Sequence, residues 1–404
     1  MIQAGVGISS DKDPYQAGYG SCKQAMEKAG IENPDLVIVF SSVSLDQQKC
    51  IQGIRDASGN APMIGCSDAG EITNEGPAQK SVAVMVICSD SVKFTTALGK
   101  NVKDGARGAG QAVATDIKGR APAPFRAFIM FPDVLTGNGS DIVRGVQSVL
   151  GEHFPIFGGA AGDDFLFEKT FQYLDDTVIS GAVGGLGLSG AFTMGVGVRH
   201  GWIPIGPPMK VTRSEGAVVH ELDGRPAISI YEDYFGDKAA EIRKEPLARM
   251  AITYPLGLKV QDLDEYLIRD PITVDEKGAI TCAAEIPQGS EIRLMIGSKE
   301  KAIDAAREAA QKLMRDFAAQ KSTPKLLLIF NCIAREKLYG DRAKEEIAAI
   351  QEVVGRDVPL LGFYTYGEQA PLGGEIQDAV KIKSHFYNET VVMFAIGDVL
   401  ESNT

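Results

Sequence analysis

The chain has 404 residues, of which 44% are hydrophobic and 23% charged, with a formal net charge of −12. That length is too great for one compact core and predicts two or three domains of ordinary globular composition. The acidic balance excludes nucleic acid and anionic membrane as main partners, and no apolar run is long enough to span a bilayer as a helix.

The first predicted element is a strand over 2–9. A helix follows, with Asp13 as N-cap, Pro14 at its first position and Gly30 as its stop. The apolar run 36–40 reads as a strand, 45–57 as a helix, and 80–89 with 93–98 as a hairpin or consecutive strands. A helix over 104–117 leads to a strand over 125–131 and a helix over 139–150. From 169 to 199 the chain is rich in Gly, Val, Thr and Phe and reads as antiparallel β-structure. Residues 201–208 carry too much Pro and Gly for a regular element. A helix over 226–235 is followed by strands at 266–269, 280–284 and 292–296. A long helix begins after Ser298, with Ile303, Ala306, Ala310, Leu313 and Phe317 on one face. Strand 326–330, helix 341–354 and strand 391–396 end the pattern. The mixture predicts an α/β fold of two lobes, 1–218 and 219–404, with mixed β-sheets flanked by helices.

One phrase occurs three times. Pro62-Met63-Ile64-Gly65 runs into Cys66-Ser67-Asp68-Ala69-Gly70-Glu71. Pro155-Ile156-Phe157-Gly158 runs into Gly159-Ala160-Ala161-Gly162-Asp163-Asp164. Pro359-Leu360-Leu361-Gly362 runs into Phe363-Tyr364-Thr365-Tyr366-Gly367-Glu368. Each copy lies downstream of an apolar run ending in Phe, which predicts three similar strand–helix–strand units. Gly and small residues let backbone N–H groups face one concavity, and carboxylates beside it would hold an ammonium group. An α-amino acid needs that pairing. The alternative is a tight turn with solvated acids.

On this reading the ligand-binding residues are Cys66, Ser67, Glu71, Gly158, Gly159, Ala160, Asp163, Asp164, Arg335, Tyr364 and Glu368. Arg335 would clamp a carboxylate, or sit exposed at a helix start. Tyr364 would wall the pocket, or fill the core. Cys66 has no neighbouring His in sequence, so a buried inert thiol competes with a nucleophile. The six cysteines form no C-x-x-C pair and predict reduced thiols, with no metal site. His200, beside the only tryptophan, and His220 are the candidates for a haem ligand, against a structural role for each. His153 and His385 lie in polar surroundings and read as exposed.

These residues together resemble the FIST family of sensory proteins. Phe40-Ser41-Ser42, Ile64-Gly65-Cys66-Ser67, Gly158-Gly159 through Asp163-Asp164, and His200-Gly201-Trp202 match its N-terminal half. Glu221-Leu222-Asp223-Gly224-Arg225-Pro226-Ala227, Phe330-Asn331-Cys332-Ile333-Ala334-Arg335, Gly362 through Glu368, and Asn388-Glu389-Thr390 match its C-terminal half. The resemblance implies an intracellular sensor of amino-acid-like small molecules that is not an enzyme and needs no cofactor. Its output would pass to a separate histidine kinase, chemoreceptor or cyclic-dinucleotide enzyme, since no such module is expected in this chain. A branch of the family binds haem and senses nitric oxide, which supplies the first rival. An enzyme using Cys66 or the acidic cluster is the second. The N-terminus lacks the pattern of a signal peptide, so a cytoplasmic location is expected.

Overall fold

The apolar runs become strands with no exposed face. All six residues of Leu36–Ser41 are buried, as are all seven of Leu326–Cys332 and Val391–Gly397. Such strands need cover on both sides, which favours helices on one face and a second layer on the other. The computed structural model describes residues 1–236, 250–260, 266–376 and 383–399. It is a mixed α/β structure.

Three six-stranded sheets share one order. The first runs Ile2–Ser9, Val82–Ser89, Leu36–Ser41, Met63–Ser67, Gln172–Leu174, Thr177–Ile179. The second runs Val92–Gly99, Val183–Gly190, Phe125–Pro132, Ile156–Gly159, Glu368–Pro371, Ser384–Tyr387. The third runs Thr193–Arg199, Val391–Gly397, Leu326–Cys332, Leu360–Thr365, Glu71–Thr73, Gly76–Ala78. In each sheet the third and fourth strands are parallel and every other pairing is antiparallel. The last two strands always come from elsewhere in the chain. The hairpin after the first corner completes the third sheet, the one after the second completes the first, and the strands after the third complete the second.

The helices follow their caps. Asp13 accepts from Gln16 N and Gly30 closes Pro14–Ala29 with φ of 65°. Asp46, Asn138 and Ser298 cap Gln47–Ala57, Gly139–Leu150 and Lys299–Ala319 in the same way. An antiparallel eight-stranded sheet is inserted between Thr193–Arg199 and Lys299–Ala319.

Two expectations need correction. The 201–208 stretch is not wholly irregular: Ile203–Glu215 is one strand, paired with Glu291–Ile296. Its register shifts between Ile205 and Met209, so Gly206, Pro207 and Pro208 sit in a bulge where no ladder N–H is needed. The helix expected over 341–354 is preceded by a second one, Ile333–Tyr339, joined to Ala343–Val354 by a short 3₁₀ turn.

The sheets meet on aromatic rings. Phe40, Phe131 and Phe330 end equivalent strands, and Phe363 joins them. Ring centroids lie 5.5 Å apart for Phe40–Phe131, 6.2 Å for Phe131–Phe330 and 4.2 Å for Phe40–Phe363. The first two pairs meet edge-on and the third is tilted; aromatic pairs add about 0.5–1.5 kcal/mol each beyond burial.

Arg335 belongs to the framework and is not exposed. It and Glu346 are fully buried and pair at 2.6 Å. The guanidinium also donates to the carbonyls of His200 and Ala302. Glu346 accepts in addition from Asn331 and Tyr339. Arg335 therefore ties the helix pair, the His200 turn and the start of the long helix together, with its charge already neutralised.

Removing one partner strands the other charge. Glu346→Ala is expected to cost about 3–5 kcal/mol, and the double variant Arg335→Met/Glu346→Leu much less. Urea midpoints check this; a Glu346→Ala variant within about 1 kcal/mol of the parent contradicts it. Phe131→Ala is expected to lose about 3–5 kcal/mol by the same measurement.

Candidate functional site

The repeated phrase is first of all strand chemistry. Proline has no N–H, but its carbonyl can open a ladder. The carbonyls of Pro62, Pro155 and Pro359 accept from Val37, Phe128 and Leu327 at 2.8, 3.1 and 2.9 Å. The glycine three residues on lies against the neighbouring parallel strand. A Cβ there would come within 1.8 Å of Val39 O for Gly65, 2.0 Å of Met130 O for Gly158 and 2.4 Å of Ile329 O for Gly362. Side chains do not fit at these three positions.

Beyond the glycines the three corners touch one another. Gly162 N donates to Ser67 O at 3.0 Å and Asp164 N to Asp68 O at 2.9 Å. Ala69 N donates to Tyr364 O and Tyr364 N to Gly70 O. Ala160 N donates to Gly367 O at 2.7 Å, and Tyr366 N returns a bond to Ala160 O. Their N–H groups are thus spent on each other. A Cβ on Gly159 would meet Thr365 Cγ2 at 2.4 Å. The hollow expected among the corners is filled by the corners.

Their side chains are equally committed. Ser67 donates to Gly162 O and accepts from Phe171 N. Glu71, fully buried, accepts from Ser42 N, Ser81 N and Ser81 Oγ. Glu368 accepts from Thr365 Oγ1 and Thr390 N. Gln172 holds the matching place in the first sheet and accepts from Ala182 N. Glu71, Gln172 and Glu368 thus each clamp the residue that precedes the next long strand.

Asp163 accepts three backbone N–H bonds, from Phe167, Glu168 and Lys169, and a hydroxyl bond from Tyr366. Asp164 accepts from Ser42 Oγ at 2.7 Å. Tyr364 is buried and its hydroxyl has no partner among the described residues. Burial holds Glu71 near about 7 and drives Asp68 well above the usual carboxylate range, with the neighbouring acids adding to both.

Cys66 and His200 lack the geometry the two rivals need from them. Cys66 is fully buried, and burial pushes its thiol well up, so it carries no thiolate. His200 Nδ1 accepts from Trp202 N at 3.0 Å. A backbone N–H can only donate, so the neutral ring carries its proton on Nε2 and offers no lone pair there. Burial, aided by Arg335, holds this ring neutral with a value of about 3. Haem does not fit His200. His220 lies on Val218–Leu222 in the inserted sheet, half-buried.

Open space lies elsewhere. One cavity of about 650 Å³ adjoins His200, Trp202, Tyr266 and Arg307. A second, of about 700 Å³, lies between helix Gly139–Leu150, the inserted sheet and strand Ser384–Tyr387. Arg144, Gln147, Lys259, Arg269, Glu285, Glu291, Lys383 and His385 line it. Arg144 bridges Asp141 and Glu285. Lys259 lies over the Tyr266 ring.

Arg269 differs from the other cations. It is 3% exposed and donates only to the carbonyls of Ile268, Glu285 and Phe386. Among the described residues no carboxylate pairs with it. Burial lowers it to about 10, so it stays charged at neutral pH. His385, expected to be exposed, lines the same cavity. Burial, then Arg269 and Lys383, lower it to about 4, so it is neutral. Sequence reasoning passed over both. The one signal was a lone Arg closing the apolar run Tyr266-Leu267-Ile268.

Comparison with known proteins gives the family. The FIST N domain model matches residues 35–225 and the FIST C domain model residues 227–371. An uncharacterized protein of Mycobacterium tuberculosis is 26% identical over 387 residues, covering 92% of this chain and 96% of its own. An uncharacterized protein of Methanocaldococcus jannaschii is 26% identical over 362 residues, covering 83% of this chain and 66% of its own. Among solved structures, a chorismatase aligns over 98% of this chain and 99% of its own at 9% identity with a TM-score of 0.36. A cyanuric acid hydrolase from A. caulinodans covers 47% of this chain and 71% of its own at 10% identity with a TM-score of 0.28. Likeness that weak carries no argument about fold or activity. Matched over both halves, the chain belongs to the FIST family, whose domains are sensory domains of signal transduction.

Proposed function

We propose that this chain senses an amino-acid-like small molecule in the 700 Å³ cavity and relays its presence to a separate signalling protein. The carrying observation is Arg269, a buried guanidinium without a carboxylate partner among the described residues, on the wall of a cavity large enough for a metabolite. Keeping an uncompensated charge out of water is costly, and an anionic ligand offsets that cost. Glu291 on the same wall supplies the opposite charge an α-ammonium group needs.

The cavity also lies where a relay can start. Helix Gly139–Leu150 falls within the FIST N match, and the inserted-sheet residues facing it, 258–291, within the FIST C match. A ligand touching both would favour the arrangement in which they are closest, and a partner that reads the outer surface would feel the shift. A histidine kinase, chemoreceptor or cyclic-dinucleotide enzyme is the kind of partner this reading requires. The committed hydrogen bonds of the corner residues support a scaffold role for them in this reading.

A thermal-shift screen of amino acids and related carboxylates tests the reading. A true ligand at a hundredfold excess over Kd is expected to add about 2.7 kcal/mol. Arg269→Gln should abolish the response, while Ser67→Ala, which alters only a corner, should leave the affinity unchanged. A screen in which nothing raises the melting temperature, or a response that survives Arg269→Gln, contradicts it.

A further inference from the structure

Behind Arg269 lies a feature the cavity alone does not require. Asp270, the next residue, has the Glu389 carboxyl as its neighbour. No donor among the described residues reaches Asp270 Oδ1 or either carboxyl oxygen of Glu389, and Glu389 is fully buried. Two carboxyl groups can hydrogen-bond to each other only if one of them carries a proton. Glu389 also holds φ of 55°, a left-handed conformation unusual for a residue with a side chain.

The surroundings leave Arg269 as the cation that acts on the pair. Arg335 is near Glu389, but its charge is matched by Glu346 at 2.6 Å. Glu368, from the third corner, adds negative charge near Glu389. Glu285 faces Arg269 from the cavity side. The remaining titratable neighbours are Cys282, Cys332, Tyr231, Tyr387 and the neutral His385. Burial pushes Cys282 up to about 12 and drives Cys332 and Tyr231 well above their usual values, so these three stay neutral.

We infer that the cavity takes up a carboxylate anion together with a proton: the anion faces Arg269, and a second proton, drawn from solvent, joins the Asp270–Glu389 pair. The coupling is electrostatic. Burial raises Asp270 to about 6, and Glu389, then the pull of Arg269, keep it from going higher. An anion against Arg269 cancels that pull, so Asp270 gains affinity for a proton. By reciprocity, lower pH tightens anion binding. This inference rests on the sensing reading above and adds a co-bound proton and the pH dependence that follows from it.

The test uses the intact chain and three probes whose charge is constant between about pH 5.5 and 7.5: L-aspartate, L-lactate and sulfate. Calorimetric titration of wild type is expected to show a carboxylate probe binding at least about threefold more tightly at the lower pH, with net proton uptake in buffers of different ionisation enthalpy. Asp270→Asn should flatten that dependence while binding persists, and His385→Gln should preserve it. Stability without ligand gives a second readout. A carboxyl raised in the folded state contributes fully below about pH 4 and loses that contribution as pH rises through about 6. Asp270→Asn, and separately Glu389→Gln, should flatten this slope. Binding that is independent of pH, or unchanged pH dependence in Asp270→Asn, overturns the inference and leaves the cavity reading intact. Failure of every probe to bind overturns both.

Discussion

Backbone meeting backbone at the centre of three sheets is the constraint on which this molecule depends. The corners exchange hydrogen bonds between Ser67 and Gly162, Ala69 and Tyr364, and Ala160 and Gly367. Contacts that close exclude side chains, so Gly or Ala stands at the approach points. Buried N–H and C=O groups must also find partners, and here each corner supplies the others. The phenylalanines below the corners then pack ring against ring. The borrowed hairpins lock the arrangement, because no sheet is complete with its own strands alone. Unfolding one unit removes two strands from a neighbour, so the sheets should lose structure together.

Much of this was legible in the residues. Apolar runs of five to seven, helix caps at Asp13 and Ser298, and the glycine at position 30 mark elements where the structure has them. The Pro-x-x-Gly phrase marked equivalent places, because the chemistry of a parallel strand pair recurs at each. Its meaning was harder to read. Gly beside acids fits an anion-and-ammonium site, and it fits equally a junction where backbones touch and carboxylates hold N–H groups. Sequence does not distinguish a carboxylate waiting for a ligand from one that already clamps Ser81 or Thr390. That difference is one of three-dimensional neighbours.

The cavity residues were invisible for the same reason. Arg144, Arg269, Glu285 and His385 stand far apart in the chain and belong to no motif. Arg335 was the arginine with a motif around it, and it is the neutralised one. A buried charge with a carboxylate holds a fold together, whereas one without asks what else neutralises it. Arg335 answers from within the chain, and among the described residues Arg269 does not. The Asp270–Glu389 pair beside Arg269 gives the second answer a chemical consequence, since a charge brought to one group is felt by the others in a site that excludes water.

A crystal structure of the protein grown with a mixture of free amino acids tests the central claim most directly. The expected result is density for a bound molecule with its carboxylate against the Arg269 guanidinium, flanked by Glu285 and His385. Density lodged among Gly159, Ala160 and Asp163, with the corners parted to admit it, would contradict the account and return the binding site to the repeated phrase.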